Sequence, residues 1–277
     1  MSDSKALDFL YHTAVGRVGL KILTLPAISK ALGKFLDTKA SVKLIDSFIK
    51  SNDIDLTDYE EYEYVSFNDF FKRRVKKEAR PVNYEPASFI APCDGNLTVY
   101  RIDGYNELAI KNSVYTINDL LKDKKLAKNY NNGYCLVFRL CVDNYHRYHY
   151  VDNGIKSTNR RIEGILHTVQ PIAVEATNVY VQNTREYTVL RTENFDDVIQ
   201  MEVGAMLVGR ICNYHEKTRF VRGQEKGCFE FGGSTIILFV KDGILNIDDE
   251  IISNSAQEIE TPVKFGQVIG KRLYDLV

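Results

Sequence analysis

The sequence has few cysteines, and the five that it contains form no pattern typical of a metal or redox centre. Their number is odd, they lie far apart, and no Cys-x-x-Cys pair occurs, which argues against a zinc or dithiol motif of that kind. We interpret them as reduced, mostly buried thiols of a cytosolic protein. They are Cys93, Cys135, Cys141, Cys212 and Cys228.

An excess of charge of either sign is also absent. The 277 residues include 36 Lys and Arg against 37 Asp and Glu, so the formal net charge is −1. A chain without a strong positive field has no general attraction for phosphate backbones, and any electrostatic preference must come from a local cluster. We therefore expect no nucleic-acid partner.

Long hydrophobic runs are missing as well. No stretch reaches 18 uncharged apolar residues, so a membrane-spanning helix is not expected. The N-terminus has no cationic start followed by an apolar run and a small-residue cleavage site, so we expect the chain to stay inside the cell. The basic residues that interrupt the most apolar region are Arg17, Lys21, Lys30, Lys34, Lys39 and Lys43.

Residues 5–50 nevertheless carry apolar residues mainly three or four positions apart, which predicts amphipathic helices interrupted near Pro26. Residues 1–50 have eight Lys or Arg against four Asp, a local net charge of +4. Such a helix could lie in the surface of an anionic membrane, or it could be a helical cap on the rest of the protein. Residues 51–63 then turn acidic and are interpreted as a linker.

From about residue 88 the pattern changes to short apolar or alternating runs bounded by Gly, Asn and Asp. The runs 134–142, 199–211 and 234–240 predict strands, and a helical pattern appears only at 116–128. The expected fold is α+β: a helical region with its linker at 1–63, then a mainly antiparallel β domain at 64–277.

Two glycines precede a serine at the start of one of these strands, in the segment Gly232-Gly233-Ser234-Thr235. Glycines allow a strained backbone that a Cβ would obstruct, although such a pair often marks only a turn or bulge. If the Ser234 hydroxyl attacked the carbonyl of Gly233, the amide would become an ester. Elimination and hydrolysis would then cut the chain and leave a pyruvoyl group on residue 234.

A serine nucleophile needs a base, commonly a histidine oriented by a carboxylate. His146 and His149 lie close together in 145-YHRYHY-150, and Asp94 lies in 91-APCDGNL-97. Asp-Gly is also a frequent hairpin turn, so Asp94 has a purely structural interpretation too.

A metallohydrolase using His146 and His149 is an alternative, because His-x-x-His places both side chains on one face of a helix. In an extended segment the two side chains point to opposite faces, and we expect separate roles for them. A non-enzymatic, membrane-attached β-rich binding module is a further alternative.

Four segments in order resemble the phosphatidylserine decarboxylase family, over residues 64 to the C-terminus. They are the aromatic and basic signature 67-FNDFFKRRVKKEARPV-82, the Pro-x-Asp-Gly element 91-APCDG-95, the Tyr-His-Arg-x-His element 145-YHRYH-149 and the processing site 229-FEFGGST-235. The chain departs from the family where Gly232 replaces a common leucine and where Tyr150-Val151 replaces a common proline.

The resemblance implies that Asp94, His149 and Ser234 form a self-cleavage triad, with His149 as base and Asp94 orienting it. Cleavage between Gly233 and Ser234 would give a large chain, 1–233, and a small chain, 234–277, that stay associated. His146 is implied as the proton donor near the substrate carboxyl.

The resemblance also implies the reaction. The covalent pyruvoyl group made from Ser234 would form a Schiff base with phosphatidylserine and release carbon dioxide and phosphatidylethanolamine. A lipid substrate favours membrane contact for residues 5–50 and a peripheral position on the cytoplasmic face of the cell membrane. The basic run 72-KRRVKK-77 is either a solvated helix face or a contact for phosphate or anionic lipid. The sequence leaves open whether the protein forms a homo-oligomer.

Overall fold

The computed structural model describes residues 8–110, 113–205, 210–231 and 234–273. The N-terminal part is helical. After a helical segment at 8–12 come α1 (Ala14–Leu23), α2 (Pro26–Leu36), a 3-10 helix (Lys39–Leu44) and α3 (Ile45–Ser51). The predicted amphipathic helices and their interruption near Pro26 are confirmed. Pro26 stands in the first turn of α2, where its missing N–H costs no hydrogen bond.

These helices pack on a short helix, α4 (Phe67–Phe71), which lies within the aromatic and basic signature. Leu36 and Ile45 share a buried cluster with Phe67, Phe70 and Phe71. Polar contacts fix the same junction. The Ser41 hydroxyl accepts a hydrogen bond from the Phe67 amide at 2.9 Å, and the Asn68 side chain donates to the Asp37 carboxylate at 2.9 Å.

A nine-stranded antiparallel sheet forms the centre of the molecule. Its strand order is β12-β7-β9-β10-β14-β5-β2-β16, with β8 paired to β9. The bounds are β2 (Gly95–Arg101), β5 (Tyr134–Leu140), β7 (Gly154–Lys156), β8 (Arg160–Ile162), β9 (Arg185–Thr192), β10 (Asp197–Val203), β12 (Thr218–Phe220), β14 (Ser234–Val240) and β16 (Thr261–Val263).

Three smaller sheets surround it. They are β1 (Ser88–Ile90), β17 (Val268–Arg272) and β15 (Leu245–Ile247); β11 (Ile211–Asn213), β13 (Glu225–Phe229) and β6 (Arg147–His149); and β3 (Glu107–Ile110) with β4 (Ser113–Thr116). The strand orders of the two three-stranded sheets are β1-β17-β15 and β11-β13-β6.

The two faces of the nine-stranded sheet carry separate apolar clusters. Along β14, Ile236, Leu238 and Val240 belong to one cluster, whereas Ile237 and Phe239 belong to the other, as alternation along a strand requires. The first cluster also contains Tyr148 and Phe229 of the small β11-β13-β6 sheet. That small sheet therefore covers the face to which the even-numbered side chains of β14 point.

The strand predictions hold where a run is short and strongly apolar. The prediction for 134–142 corresponds to β5, and that for 234–240 corresponds to β14. The single strand predicted at 199–211 is wrong, because β10 ends at Val203 and β11, in another sheet, begins at Ile211. Apolar residues on both sides of this break gave the impression of one continuous run.

Helices in the second part of the chain are more numerous than predicted. The helical pattern at 116–128 is confirmed by α5 (Ile117–Leu121) and α6 (Lys124–Ala127), which continue into a 3-10 turn (Lys128–Tyr130). The prediction that helix is confined to that stretch is wrong. Short helices too brief for a periodic signal also occur: α7 (Pro171–Ala176), α8 (Val179–Gln182), α9 (Asp249–Ala256) and a 3-10 turn (Lys77–Ala79).

The architecture is therefore α+β with mainly antiparallel sheets, as expected. Within the described ranges, none of the helices has the length and apolar character needed to cross a bilayer.

Candidate active site

Ser234 opens β14 and is fully buried. Its backbone pairs with Leu140 of β5, and its side chain shares the face of Ile236, under the small β11-β13-β6 sheet. Buried hydroxyls normally have a hydrogen-bond partner, yet the Ser234 Oγ has none among the described residues. Gly232 and Gly233, the glycines of the sequence motif, lie outside the described residues.

Asp94 lies immediately before β2 and is almost completely buried. The Arg80 guanidinium donates to both carboxylate oxygens, at 2.9 Å from Nε to Oδ1 and 2.7 Å from Nη2 to Oδ2. The backbone amide of Phe265 donates to Oδ1 at 2.8 Å. Gly95 is required beside it, because its φ is +156° and a Cβ there would lie 2.9 Å from the Arg139 carbonyl oxygen.

His149 ends β6 and is held against the segment that leads to Asp94. Its amide donates to the Pro92 carbonyl at 2.8 Å, and its ring Nδ1 lies 3.4 Å from the same oxygen. A carbonyl only accepts hydrogen bonds, so Nδ1 is the protonated nitrogen and Nε2 keeps a free electron pair. The ring stacks on Phe265 with centroids 3.6 Å apart and planes 11° apart.

The environment of His149 keeps its ring neutral. Burial lowers its pKa to about 3, and the nearby positive charge of Arg147 acts in the same direction. The hydrogen bond to Pro92 opposes this only in part. A neutral imidazole can accept a proton, which is the property required of a base.

Ser234 and Asp94 lie at the same end of the nine-stranded sheet, and His149 lies beside the segment that leads to Asp94. β14 and β2 are the two neighbours of β5, so Ser234 and the start of β2 are two strand spacings apart, about 10 Å. Within the part of the chain that the structure describes, no hydrogen bond joins Asp94, His149 and Ser234 directly. Phe265 links the first two instead, since its amide binds Asp94 and its ring covers His149.

His146 occupies a separate pocket. Its Nδ1 lies 2.9 Å from the Asn144 carbonyl, whereas its Nε2 is buried and has no partner among the described residues. Burial lowers the pKa of His146 to about 3, and Arg73 contributes further. The ring lies against Phe71, with centroids 4.0 Å apart. His146 and His149 thus have different neighbours, as the extended backbone led us to expect.

Arg73 shows that the basic run 72–77 is not a uniformly solvated face. Its side chain is fully buried, donates to the Asp143 carbonyl at 2.5 Å and packs on the Tyr59 ring at 4.3 Å. α4 ends before this run, so the run is not a helix face either. Arg73 and Arg80 connect the signature segment to the residues around the two histidines.

A buried ion pair connects the nine-stranded sheet to the small sheet near this site. Lys226 of β13 donates to Glu202 of β10 at 2.7 Å, and both are fully buried. Asn213 accepts from Lys226 and donates to Glu202, which satisfies both charges. No sequence pattern indicates this pair, because polar residues at isolated strand positions resemble solvent-facing ones.

Two residues that organise Asp94 and His149 were not identified as site residues from the sequence. Arg80 lies at the Arg-Pro end of the signature, where the motif by itself indicates no role at the site. No sequence motif identifies Phe265, since it contributes a backbone amide and a ring from a position 171 residues beyond Asp94.

The described ranges contain no cluster of three or more His, Cys, Asp or Glu side chains able to hold a metal ion.

The chain is similar to known proteins over most of its length. The family model described as phosphatidylserine decarboxylase matches residues 67–271. A Clostridium acetobutylicum protein named phosphatidylserine decarboxylase proenzyme 2 is 46% identical over 266 residues, which cover 96% of this chain and 91% of the relative.

Two further relatives carry the name phosphatidylserine decarboxylase proenzyme. One from Clostridium botulinum strain Langeland is 40% identical over 98% of this chain and 94% of its own. One from Clostridium beijerinckii is 38% identical over a stretch that covers 99% of this chain and 94% of the relative.

Proposed function

The chain belongs to the phosphatidylserine decarboxylase family, and on that premise we propose that it matures by cleaving itself at Ser234, with His149 as base and Asp94 as the group that orients it. It is a decarboxylase that converts phosphatidylserine to phosphatidylethanolamine and carbon dioxide. Family membership sets aside the binding-module and metallohydrolase hypotheses.

The family's cofactor is a covalent pyruvoyl group, which supplies a carbonyl for the substrate amine and an acceptor for the electrons left by carbon dioxide. One observation above all supports Ser234 as the residue from which this group would be made. The hydroxyl is buried, unpartnered among the described residues and placed at the first position of a central strand. A new N-terminus at residue 234 would thus be held rigidly by both neighbours of β14.

The proposed maturation consists of ester formation, elimination and hydrolysis. His149 takes the proton of the Ser234 hydroxyl while Oγ bonds to the carbonyl carbon of Gly233. His149 then returns this proton to the nitrogen of residue 234 as the peptide C–N bond breaks, which gives an ester and a free amine. Loss of the proton on Cα of residue 234 expels the ester oxygen, which releases 1–233 with a free carboxylate. Addition of water and loss of ammonia leave the pyruvoyl group on the small chain, 234–277.

Asp94 supports His149 through Phe265 in this proposal. The carboxylate fixes the Phe265 amide, and the Phe265 ring fixes the plane of the imidazole. Arg80 holds the same carboxylate through both of its oxygens. This arrangement restricts the imidazole orientation while leaving Nε2 available for the serine proton.

His146 is proposed as the residue that delivers a proton to the product. Its free Nε2 lies in an apolar pocket, and a negative substrate group nearby would raise the pKa of an imidazole. His146 could then take up a proton only when substrate is bound, which couples protonation to the reaction.

Intact-mass analysis tests self-cleavage. We expect the wild type to give two fragments, 1–233 and 234–277, and Ser234→Ala to remain a single chain of 31.7 kDa. Ser253→Ala, an exposed serine of the small chain, is the matched control and should cleave normally. An uncut wild type, or a Ser234→Ala variant that cleaves, would contradict the proposal.

We also propose that the N-terminal part of the region 1–63 attaches the catalytic part, 64–277, to the cytoplasmic face of an anionic membrane. Its helices bury one set of apolar residues, including Leu20, Leu36 and Ile45, and expose a second set. Helices that served only as a cap on the rest of the protein would not need to expose a second set of apolar residues. The exposed residues are Phe9, Val15, Val18, Leu25, Ile28, Phe35 and Leu44.

Sedimentation with anionic vesicles tests this attachment without removing the buried set. Val15→Ser combined with Val18→Ser should reduce the bound fraction, as deletion of residues 1–50 should. Val114→Ser combined with Val221→Ser, two exposed valines elsewhere, is the control. Equal sedimentation of both double variants would argue against membrane contact by these helices.

A further inference from the structure

A cavity of about 370 Å³ lies between α2 and the segment that leads to the processing site. One wall is formed by Phe231, the last described residue before Ser234. The opposite wall is a single stripe of α2 that includes Ser29, Gly33 and Lys34. None of these cavity residues takes part in the proposed self-cleavage.

The side chains that line the cavity carry a net charge of +1, since four cations face three carboxylates. Each carboxylate already has a polar partner: Asp37 the neutral Asn68 amide, Glu163 the Arg161 guanidinium, and Glu230 both Lys72 and Arg210. Lys30 and Lys34 also line the cavity and have no ion-pair partner in the described ranges. Two lysines without partners, together with Arg210 sharing a carboxylate with Lys72, attract an anion.

Ser29 adds a polar group that lacks a partner. The residue lines the cavity and is 3% exposed. A serine within a helix usually bonds back to a carbonyl of the preceding turn, but the Ser29 Oγ has no hydrogen-bond partner among the described residues. A ligand oxygen in the cavity would supply one.

The size of the substrate head group is compatible with this position. Phe231 and Ser234 are three residues apart, which separates their Cα atoms by at most about 10 Å. In a phosphoserine head group the amine nitrogen and the phosphorus are four bonds apart, at most about 5 Å. A head group whose amine reaches residue 234 can therefore extend its phosphate towards Phe231, which lines this cavity.

We propose that the cavity binds the phosphodiester anion of the substrate's head group, with Lys34 and Arg210 as its cationic contacts and Ser29 as a hydrogen-bond donor. The proposal rests on the proposed function and assigns the part of the substrate that does not react. Because these contacts involve the phosphate and not the carboxyl group, they raise affinity for the substrate more than the rate of its conversion.

Steady-state kinetics on phosphatidylserine in neutral detergent micelles test the subsite. Lys34→Gln and Arg210→Gln should each raise KM about tenfold, as expected for loss of a charge-assisted contact, with kcat changed less. Both should cleave themselves normally. Lys124→Gln and Arg219→Gln, exposed cations outside the cavity, are the matched controls and should behave as wild type.

Gly33→Met tests the cavity itself without changing charge. A side chain at position 33 enters open space, since no heavy atom lies within 4 Å of the added Cβ, and methionine favours a helix more than glycine does. The variant should fold, cleave itself and show a raised KM. It therefore keeps the proposal testable if Arg210→Gln does not fold.

Soluble competitors separate a phosphate subsite from general membrane attraction. Glycerophosphoserine should inhibit the wild type more strongly than the cation variants, whereas serine should inhibit all of them equally. Unchanged KM in Lys34→Gln, Arg210→Gln and Gly33→Met would overturn the subsite, as would effects seen only on charged vesicles. A wild type that makes no phosphatidylethanolamine would instead overturn the proposed function.

Discussion

Arg80 is the side chain on which the position of Asp94 depends most directly. It is buried, it contacts both carboxylate oxygens, and it also binds Asp58 at 2.8 Å. Removal of one partner of a buried ion pair leaves the other charge without compensation. The effect should reach Phe265 and His149, because the Asp94 carboxylate also holds the Phe265 amide.

We predict that Arg80→Gln slows self-cleavage about 100-fold, the scale of effect produced by a displacement of about 1 Å at a reacting group. Arg80→Lys keeps the charge and should recover part of the rate. Cleavage followed by denaturing gels, at temperatures well below unfolding, measures this. Arg101→Gln, which breaks an exposed pair with Asp242, should have no effect. Normal cleavage of Arg80→Gln would contradict the prediction.

The two buried histidines make stability depend on pH. Burial lowers the pKa of both His146 and His149 from 6.5 to about 3, so the folded protein binds fewer protons than the unfolded chain between these values. Their contribution is complete above pH 6.5 and is lost as the pH falls towards 3. Each histidine adds a slope of at most about 1.4 kcal/mol per pH unit.

Urea unfolding of the uncleaved Ser234→Ala protein at pH 7, 6, 5 and 4 measures this dependence. A further His146→Asn substitution should reduce the slope, since asparagine does not titrate. His12→Asn, at an exposed position, should leave it unchanged. Equal slopes for the two substituted proteins would show that His146 does not contribute.

At the level of elements, the sequence predicted what depends on local pattern. The apolar runs of β5 and β14 and the break between α1 and α2 are local, and they are present in the structure. The separation of β10 from β11 is not local, because it depends on which sheet each segment joins. The same reason hid the pairing of Lys226 with Glu202 across two sheets.

The candidate site also combines residues that local motifs indicate with residues that only long-range pairing brings together. Ser234, Asp94, His146 and His149 could be selected from short motifs whose residue types indicate a chemistry. Phe265 could not, because its role requires β16 to pair with β2 and thereby bring its amide to Asp94. The cavity beside Phe231 was equally hidden, since its walls come from α2 and from segments more than a hundred residues away.

At the scale of the whole molecule, the proposed cut would fall beside a central strand, not in a peripheral loop. The small chain would contain β14, β15, β16 and β17, of which β15 pairs with β17. β14 pairs with β10 and β5, β16 pairs with β2, and β17 pairs with β1, so all four partners belong to the large chain. Cleavage of one peptide bond leaves these pairings and the buried side chains of β14 in place.

We therefore predict that the two chains of the processed protein elute together in gel filtration and separate only on global unfolding. Refolding should distinguish the processed protein from Ser234→Ala. The two chains of the processed protein must associate in order to refold, whereas Ser234→Ala refolds as a single chain. After dilution from urea, recovery of the processed protein should fall as protein concentration is lowered, while recovery of Ser234→Ala should not. A small chain that elutes alone under native conditions would contradict this, since it would mean that β14 can leave the centre of the sheet without unfolding the rest.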